Sequence, residues 1–136
     1  MVILKDQSMS RWPFNTLLIV WPTVAVGSAI SHLFMPEWTA HGTTWASEVH
    51  WQREIAYFNI LLSILFLWVA RQDDASLKVK ACWAIAGLSL VLGLNHLGGW
   101  LVAPKVFHVL FTLGNFAALL WGAGAILYAN QRTRSI

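Results

Sequence analysis

Histidines and one glutamate are the side chains of this sequence best suited to chemistry. His50, Glu54 and Tyr57 are spaced by four and three residues, which places all three on one face of a helix. Imidazole and carboxylate groups together are typical ligands of zinc, copper or non-haem iron, and they also exchange protons near neutral pH. The spacing therefore predicts a metal site, a small-ligand site or a proton-linked site that includes Glu54.

Three further histidines lie on stripes of small or polar residues at helical spacing. The stripes are His32 with Ser28 and Ala25, His96 with Gly93, Ser89 and Cys82, and His108 with Thr112 and Asn115. Such stripes are typical of helix faces that turn toward neighbouring helices in a membrane bundle. We therefore expect each helix to direct one histidine inward, together with Glu54, whose charge is costly in lipid unless it is paired.

Four apolar stretches must position these side chains. They cover roughly residues 14–34, 51–70, 81–102 and 106–128, and each can cross a hydrocarbon core of about 30 Å at about 1.5 Å per residue. The chain is 57% hydrophobic and only 11% charged, whereas soluble domains carry roughly 25% charged residues. The sequence therefore predicts an all-α, four-transmembrane-helix bundle that forms a single integral membrane domain over residues 1–136.

Basic residues indicate the orientation of these helices. Seven of the nine Lys and Arg residues fall at the two termini or in the connection between the second and third stretches: Lys5, Arg11, Arg71, Lys78, Lys80, Arg132 and Arg134. Arg53 and Lys105 fall on the other side. Because positive charge is retained in the cytoplasm, both termini are predicted to be cytoplasmic. All five histidines then lie in the outer loop or the outer third of the bundle.

Composition also bounds the partners. The basic residues mark helix ends rather than a patch, so the net charge of +3 does not predict nucleic-acid binding. Cys82 is the only cysteine, which excludes an intramolecular disulfide and a CxxC metal motif. The predicted partners are the lipid bilayer and either a second copy of the chain or another subunit of a membrane complex.

Three segments resemble a family of small bacterial membrane proteins that are four-helical and DoxX-like. They are SHLFMP at residues 31–36, WQREIAYFN at residues 51–59, and Asn95-His96. The family pattern reads approximately Gly-x-x-His-x-x-x-Pro, then Phe-Gln-x-Glu-x-Gly-x-x-Asn, then a histidine on the third helix; Trp51 and Ala56 depart from it. The resemblance implies a multi-pass protein of the bacterial inner membrane. It also implies a shared polar site at His32, Gln52, Glu54, Asn59 and His96, and DoxX itself is associated with quinone-linked redox complexes.

The residues and the resemblance together assign roles at this site. Glu54 and His96 are the predicted catalytic or proton-accepting residues. Gln52, Asn59 and Tyr57 are predicted to bind a cofactor or to orient its ligands. The predicted metal ligands are His32, His50, Glu54, His96 and His108. The leading hypothesis is an outward-facing site for a transition metal such as zinc, copper or iron, or for a small ligand, used in membrane redox chemistry.

Two alternatives stay open. A single b-type haem would need two histidines that face each other across the bundle, for example His32 with His96 or His108. A non-catalytic accessory or scaffolding subunit would use the same polar residues only to hold its helices together. The sequence does not decide whether the chain is an enzyme.

The charge asymmetry makes a direct prediction about topology. Alkaline phosphatase is active only outside the cytoplasm, so it should be inactive when fused to the C-terminus and active when fused after Gly42. A fluorescent protein that matures only in the cytoplasm is the matched control at the same two positions, and it should give the opposite pattern. Phosphatase activity at the C-terminus would contradict the predicted orientation.

Overall fold

Four long helices and one short helix make up the part of the chain that the structure, a computed structural model, describes: residues 12–45 and 48–134. The long helices are α1 (Trp12–Phe34), α3 (Val49–Arg71), α4 (Ala75–Val102) and α5 (Val106–Arg134), and α2 (Pro36–His41) follows α1. All four long helices are apolar and long enough to cross a membrane. The predicted all-α, four-helix membrane bundle is confirmed.

Local capping explains where the helices depart from the predicted stretches. Asp74 accepts a hydrogen bond from the Leu77 amide at 3.1 Å, so α4 begins at Ala75 instead of near residue 81. Helix α2 begins at Pro36. A proline is tolerated in the first turn because its missing N–H would have no acceptor within the helix there. As a result, a short helix lies inside the segment predicted to be a loop.

The first helix begins and the last helix ends at the same end of the bundle. This follows from four crossings, and the α3–α4 connection lies at that end too. Helix α5 continues to Arg134, past the predicted span. Lys5 and Arg11 lie outside the described residues, so their share of the charge asymmetry rests on the sequence.

The long helices pack as two antiparallel pairs. Helix α1 packs along α3 and α4 packs along α5, while α1 joins the two pairs through smaller contacts with α4 and α5. Gly122 lets α5 approach α4 closely, since a Cβ there would lie 3.2 Å from the Cβ of Ala86. The apolar core, which includes Leu17, Phe66 and Ile85, fills the end of the bundle that carries the termini.

Large apolar side chains cover the outside of the bundle. Leu61, Ile64 and Leu120 are 64%, 62% and 73% exposed. Apolar surface on this scale is costly in water but not against lipid tails. The chain is therefore a multi-pass membrane protein whose outer faces contact the bilayer.

Polar side chains link α1 to α3 inside this apolar bundle. The buried Ser63 hydroxyl lies 2.6 Å from the Asn59 carbonyl of its own helix and 3.1 Å from the Pro22 carbonyl of α1, so its proton is shared between the two. Asn59 Nδ2 donates to Ser28 Oγ at 3.3 Å. Asn59 therefore connects two helices, a role that buried amides commonly have in membrane bundles.

Removal of the Ser63 hydroxyl should weaken the α1–α3 pair. We expect Ser63→Ala to lower the free energy of unfolding by about 0.6 kcal/mol and by no more than about 1.7, the range measured for hydrogen bonds between membrane helices. Reversible unfolding in mixed detergent micelles measures this change. Ser31→Ala is the matched control, because among the described residues the Ser31 hydroxyl bonds to the Gly27 carbonyl of its own helix and to no other helix. Equal stabilities of the two variants would contradict the assigned link.

Candidate functional site

All five histidines lie at the end of the bundle opposite the start of α1 and the end of α5, which we call the histidine end. It is formed by the last turns of α1 and α4, the first turns of α3 and α5, and the short helix α2. The five residues are His32, His41, His50, His96 and His108. Alternating crossings therefore gather the histidines as predicted, but the five do not form one cluster. His96 and His108 contact each other, His32 and His50 contact other residues, and His41 is exposed at the end of α2.

His108 is the most enclosed of the five, with no exposed surface. The backbone amide of Thr44 donates to its Nε2 at 2.9 Å, and the Thr44 hydroxyl lies 2.8 Å from the same atom. A backbone amide can only donate, so Nε2 carries a lone pair and the proton of the neutral ring is on Nδ1. The ring lies directly against Gly99 of α4, where a Cβ would overlap it.

His96 forms a pair with His108. Their Nδ1 atoms are 3.3 Å apart, so the proton on His108 Nδ1 is donated to His96 Nδ1 and the proton of neutral His96 is on Nε2. A further proton on His96 Nδ1 would face the N–H of His108, and a further proton on His108 Nε2 would face the Thr44 amide, so either one would place two donors against each other. The geometry therefore fits two neutral imidazoles, which we call the histidine pair.

Trp45 covers the histidine pair. Its ring centroid lies 4.9 Å from that of His96 and 5.0 Å from that of His108, and Phe111 contacts His96 at 5.0 Å. Trp45 also lines the adjacent cavity, whereas neither member of the pair does. The indole therefore separates the histidine pair from the cavity.

Residues 36–45, which we call the cap, are fastened to the first turn of α5. The Phe107 amide donates to the Gly42 carbonyl at 2.9 Å, and the Trp38 and Phe107 rings meet edge to face at 4.4 Å. A Cβ at Gly42 would overlap the Phe107 ring. The first backbone amides of a helix have no acceptor within that helix. The cap therefore provides an acceptor for one such amide of α5.

His32 belongs to a separate hydrogen-bonded chain. Gln52 Nε2 donates to the Pro36 carbonyl at 2.8 Å, which turns Gln52 Oε1 toward His32. His32 Nδ1 lies 2.9 Å from this oxygen and must donate to it. Neutral His32 therefore has a lone pair on Nε2, and no residue that the structure describes forms a hydrogen bond with that atom.

A cavity of about 440 Å³ lies beside His32, between α1, α3, α4 and the cap. Its lining residues are His32, Thr39, Ala40, Thr43, Trp45, Glu48, Trp51, Gln52, Ile55 and Asn95. This volume falls within the range of small-molecule sites, which are typically apolar pockets with a few oriented polar groups. Two predicted site residues, His32 and Gln52, line it.

The predicted inward face of α3 is wrong. His50 Nε2 and Glu54 Oε1 form an ion pair at 3.1 Å on the periphery of the bundle, with 83% and 50% of the side chains exposed. Tyr57 is 60% exposed on the same face. The inward face instead holds Gln52 and Ser63, because the cap and α1 pack against that side.

The structure does not bring the predicted metal ligands together. Among the described residues, no three His, Cys, Asp or Glu side chains are placed to hold one metal ion. His50 and Glu54 face outward, and the facing nitrogens of His96 and His108 bond to each other.

A haem would need two rings on opposite sides of the porphyrin, each about 2 Å from iron. The predicted pairing of His32 with His108 does not fit this arrangement, because both ring nitrogens of His108 are hydrogen-bonded, to Thr44 and to His96; the pairing of His32 with His96 stays a prediction.

Three residues of the site do not follow from sequence spacing. Thr44 and Trp45 lie in an irregular segment without periodicity, although tryptophan near an interface is an expected feature. Gly99 is half of a Gly-Gly pair near the end of α4, and that pair is the available signal for a close approach. No protein-family model, curated protein or solved structure matches the chain.

The fit of His108 against Gly99 can be tested with adjacent glycines. Gly99→Ala should displace the His108 ring and destabilise the protein by about 1–3 kcal/mol, the usual cost of overpacking. Gly98→Ala is the control, because a Cβ there meets nothing within 4 Å. Thermal unfolding in detergent compares the two variants. Equal midpoints would show that the histidine pair does not depend on this contact.

Proposed function

We propose that this membrane protein binds a small ligand in the cavity at the histidine end and that His32 accepts a hydrogen bond or a proton from it. One observation carries the proposal: the Pro36 carbonyl orients Gln52, and Gln52 orients the His32 imidazole beside a partly open cavity of about 440 Å³. A histidine whose Nδ1–H is held by a carbonyl oxygen presents Nε2 as a base or ligand.

The histidine pair has a supporting role in this proposal. His96 and His108 lie behind Trp45 and do not line the cavity. By fixing Trp45 and, through Thr44, the cap, they hold the cavity wall in place. They are positioning residues, and His32 is the group that meets the ligand.

The DoxX-like resemblance adds a proposal about chemistry and location. It favours membrane redox chemistry in the bacterial inner membrane, with the histidine end facing away from the cytoplasm. Reduction of an organic redox compound commonly takes up protons as well as electrons. An oriented imidazole is a suitable group to exchange those protons.

A second function, as an accessory subunit, is favoured by the exposed His50–Glu54 pair. Charged groups on the outer face of a membrane helix lie at the headgroup level or against a partner. The pair belongs to the first two turns of α3, beside the exposed Arg53. A partner subunit with complementary charges would bind on this face, apart from the cavity.

The ligand proposal can be tested with small hydrogen-bond donors. A phenol, a short-chain hydroquinone and an amino alcohol are titrated into protein in nanodiscs, and tryptophan fluorescence is followed. We expect saturable binding of at least one class, weakened about tenfold by His32→Ala, since an unpaired polar group costs about 1–3 kcal/mol. Gln52→Ala should weaken the same binding by a smaller factor.

His50→Ala is the control for this titration, because His50 is exposed and does not line the cavity. Its binding constants should match those of the unmodified protein. The proposal is wrong if none of the three classes binds saturably, or if His32→Ala and His50→Ala behave alike while both variants remain folded.

A further inference from the structure

The cavity has an uncompensated negative charge at its edge. Glu48 is the one acidic side chain among the residues that line the cavity, and no lysine or arginine is among them. Glu48 is exposed to solvent, and a carboxylate in that position attracts a cation by direct charge interaction.

The Glu48 carboxylate forms no hydrogen bond or ion pair with the described residues of the protein. Glu48 occupies the N-cap position of α3, but its side chain makes no capping hydrogen bond. No described residue forms an ion pair with it, whereas Glu54 of the same helix is paired with His50. Glu48 is therefore available to a ligand.

Aromatic rings complete this side of the cavity. Trp45 and Trp51 both line the cavity, and they stand three residues before and three residues after Glu48 in the chain. Trp45 is held by its contacts with His96 and His108. Tryptophan is the aromatic side chain that attracts cations most strongly, and alkylated ammonium groups are commonly bound by tryptophan together with a carboxylate.

We propose that the ligand carries an ammonium group, which binds between Glu48 and the two tryptophans while a neighbouring hydroxyl or N–H donates to His32 Nε2. This inference rests on the cavity of the proposed function and names the ligand class. The ammonium group belongs either to a free amino alcohol or to the headgroup of a membrane lipid. Both sources share the chemistry that the cavity would recognise.

Choline and its neutral isostere 3,3-dimethylbutan-1-ol test the charge requirement. The two probes have nearly the same shape, and ligand-detected NMR measures their binding to the full chain in phosphatidylglycerol nanodiscs. We expect choline to bind at least about fivefold more tightly, a factor equivalent to a single cation–π contact of about 1 kcal/mol.

Paired variants test the residues. Glu48→Gln should weaken choline binding about tenfold, whereas Glu54→Gln, the same change on the same helix, should leave it unchanged. Trp51→Leu should also weaken binding, and Trp68→Leu, an exposed residue at the other end of α3, is its control. Thermal unfolding confirms that each variant is folded.

The outcomes separate this inference from the proposed function. Equal binding of choline and the neutral isostere, or equal losses in Glu48→Gln and Glu54→Gln, would overturn the ammonium site. If a phenol or hydroquinone still bound through His32, the cavity proposal would stand. In phosphatidylcholine nanodiscs, weaker binding of added choline would identify the lipid headgroup as the occupant; unchanged binding would identify a free amino alcohol.

Discussion

The buried imidazole of His108 constrains the whole histidine end. Inside a bilayer no water is available for a buried polar group, so both ring nitrogens must find partners within the protein. The Thr44 amide satisfies one and His96 satisfies the other. These two bonds select the tautomer, fasten the cap to α5 and bring Trp45 over the pair. The Thr112 hydroxyl, one turn further along α5, is by contrast buried without a partner in the described part of the chain.

The cavity is a consequence of pairwise helix packing. Helices α1 and α3 pack closely, as do α4 and α5, but contacts between α3 and α4 are few. At the end that carries the termini, Leu17, Phe66 and Ile85 fill the space between the pairs. At the histidine end the space between the pairs is lined in part by polar side chains, including His32 and Gln52, and the cap covers it. The cap can do so because α5 begins with amides that need acceptors.

Sequence alone predicts the helices and the gathering of the histidines, because both depend on length, hydropathy and the even number of crossings. The face of α3 is harder to predict. An inward position is predicted for Glu54 because a charged side chain in lipid is energetically costly. The residue nevertheless lies in the second turn of α3, close enough to the interface to stay exposed. The true inward stripe, which includes Gln52 and Ser63, gives a weaker signal. Thr44 has no periodic pattern to place it, and the meaning of Gly99 depends on a ring that approaches from another helix.

Two carboxylates near the start of α3 differ because of where the cap lies. Glu48 and Glu54 are six residues apart, a rotation of roughly 240° around a helix with about 3.6 residues per turn. The rotation carries Glu54 to the periphery, where its carboxylate lies 3.1 Å from His50 Nε2. Glu48 remains beside Trp45 and Trp51, at the edge of a cavity whose polar wall is His32 and Gln52. An uncompensated carboxylate, an oriented lone pair and two indoles therefore share one space, and a ligand that donates hydrogen bonds and carries positive charge is complementary to all of them.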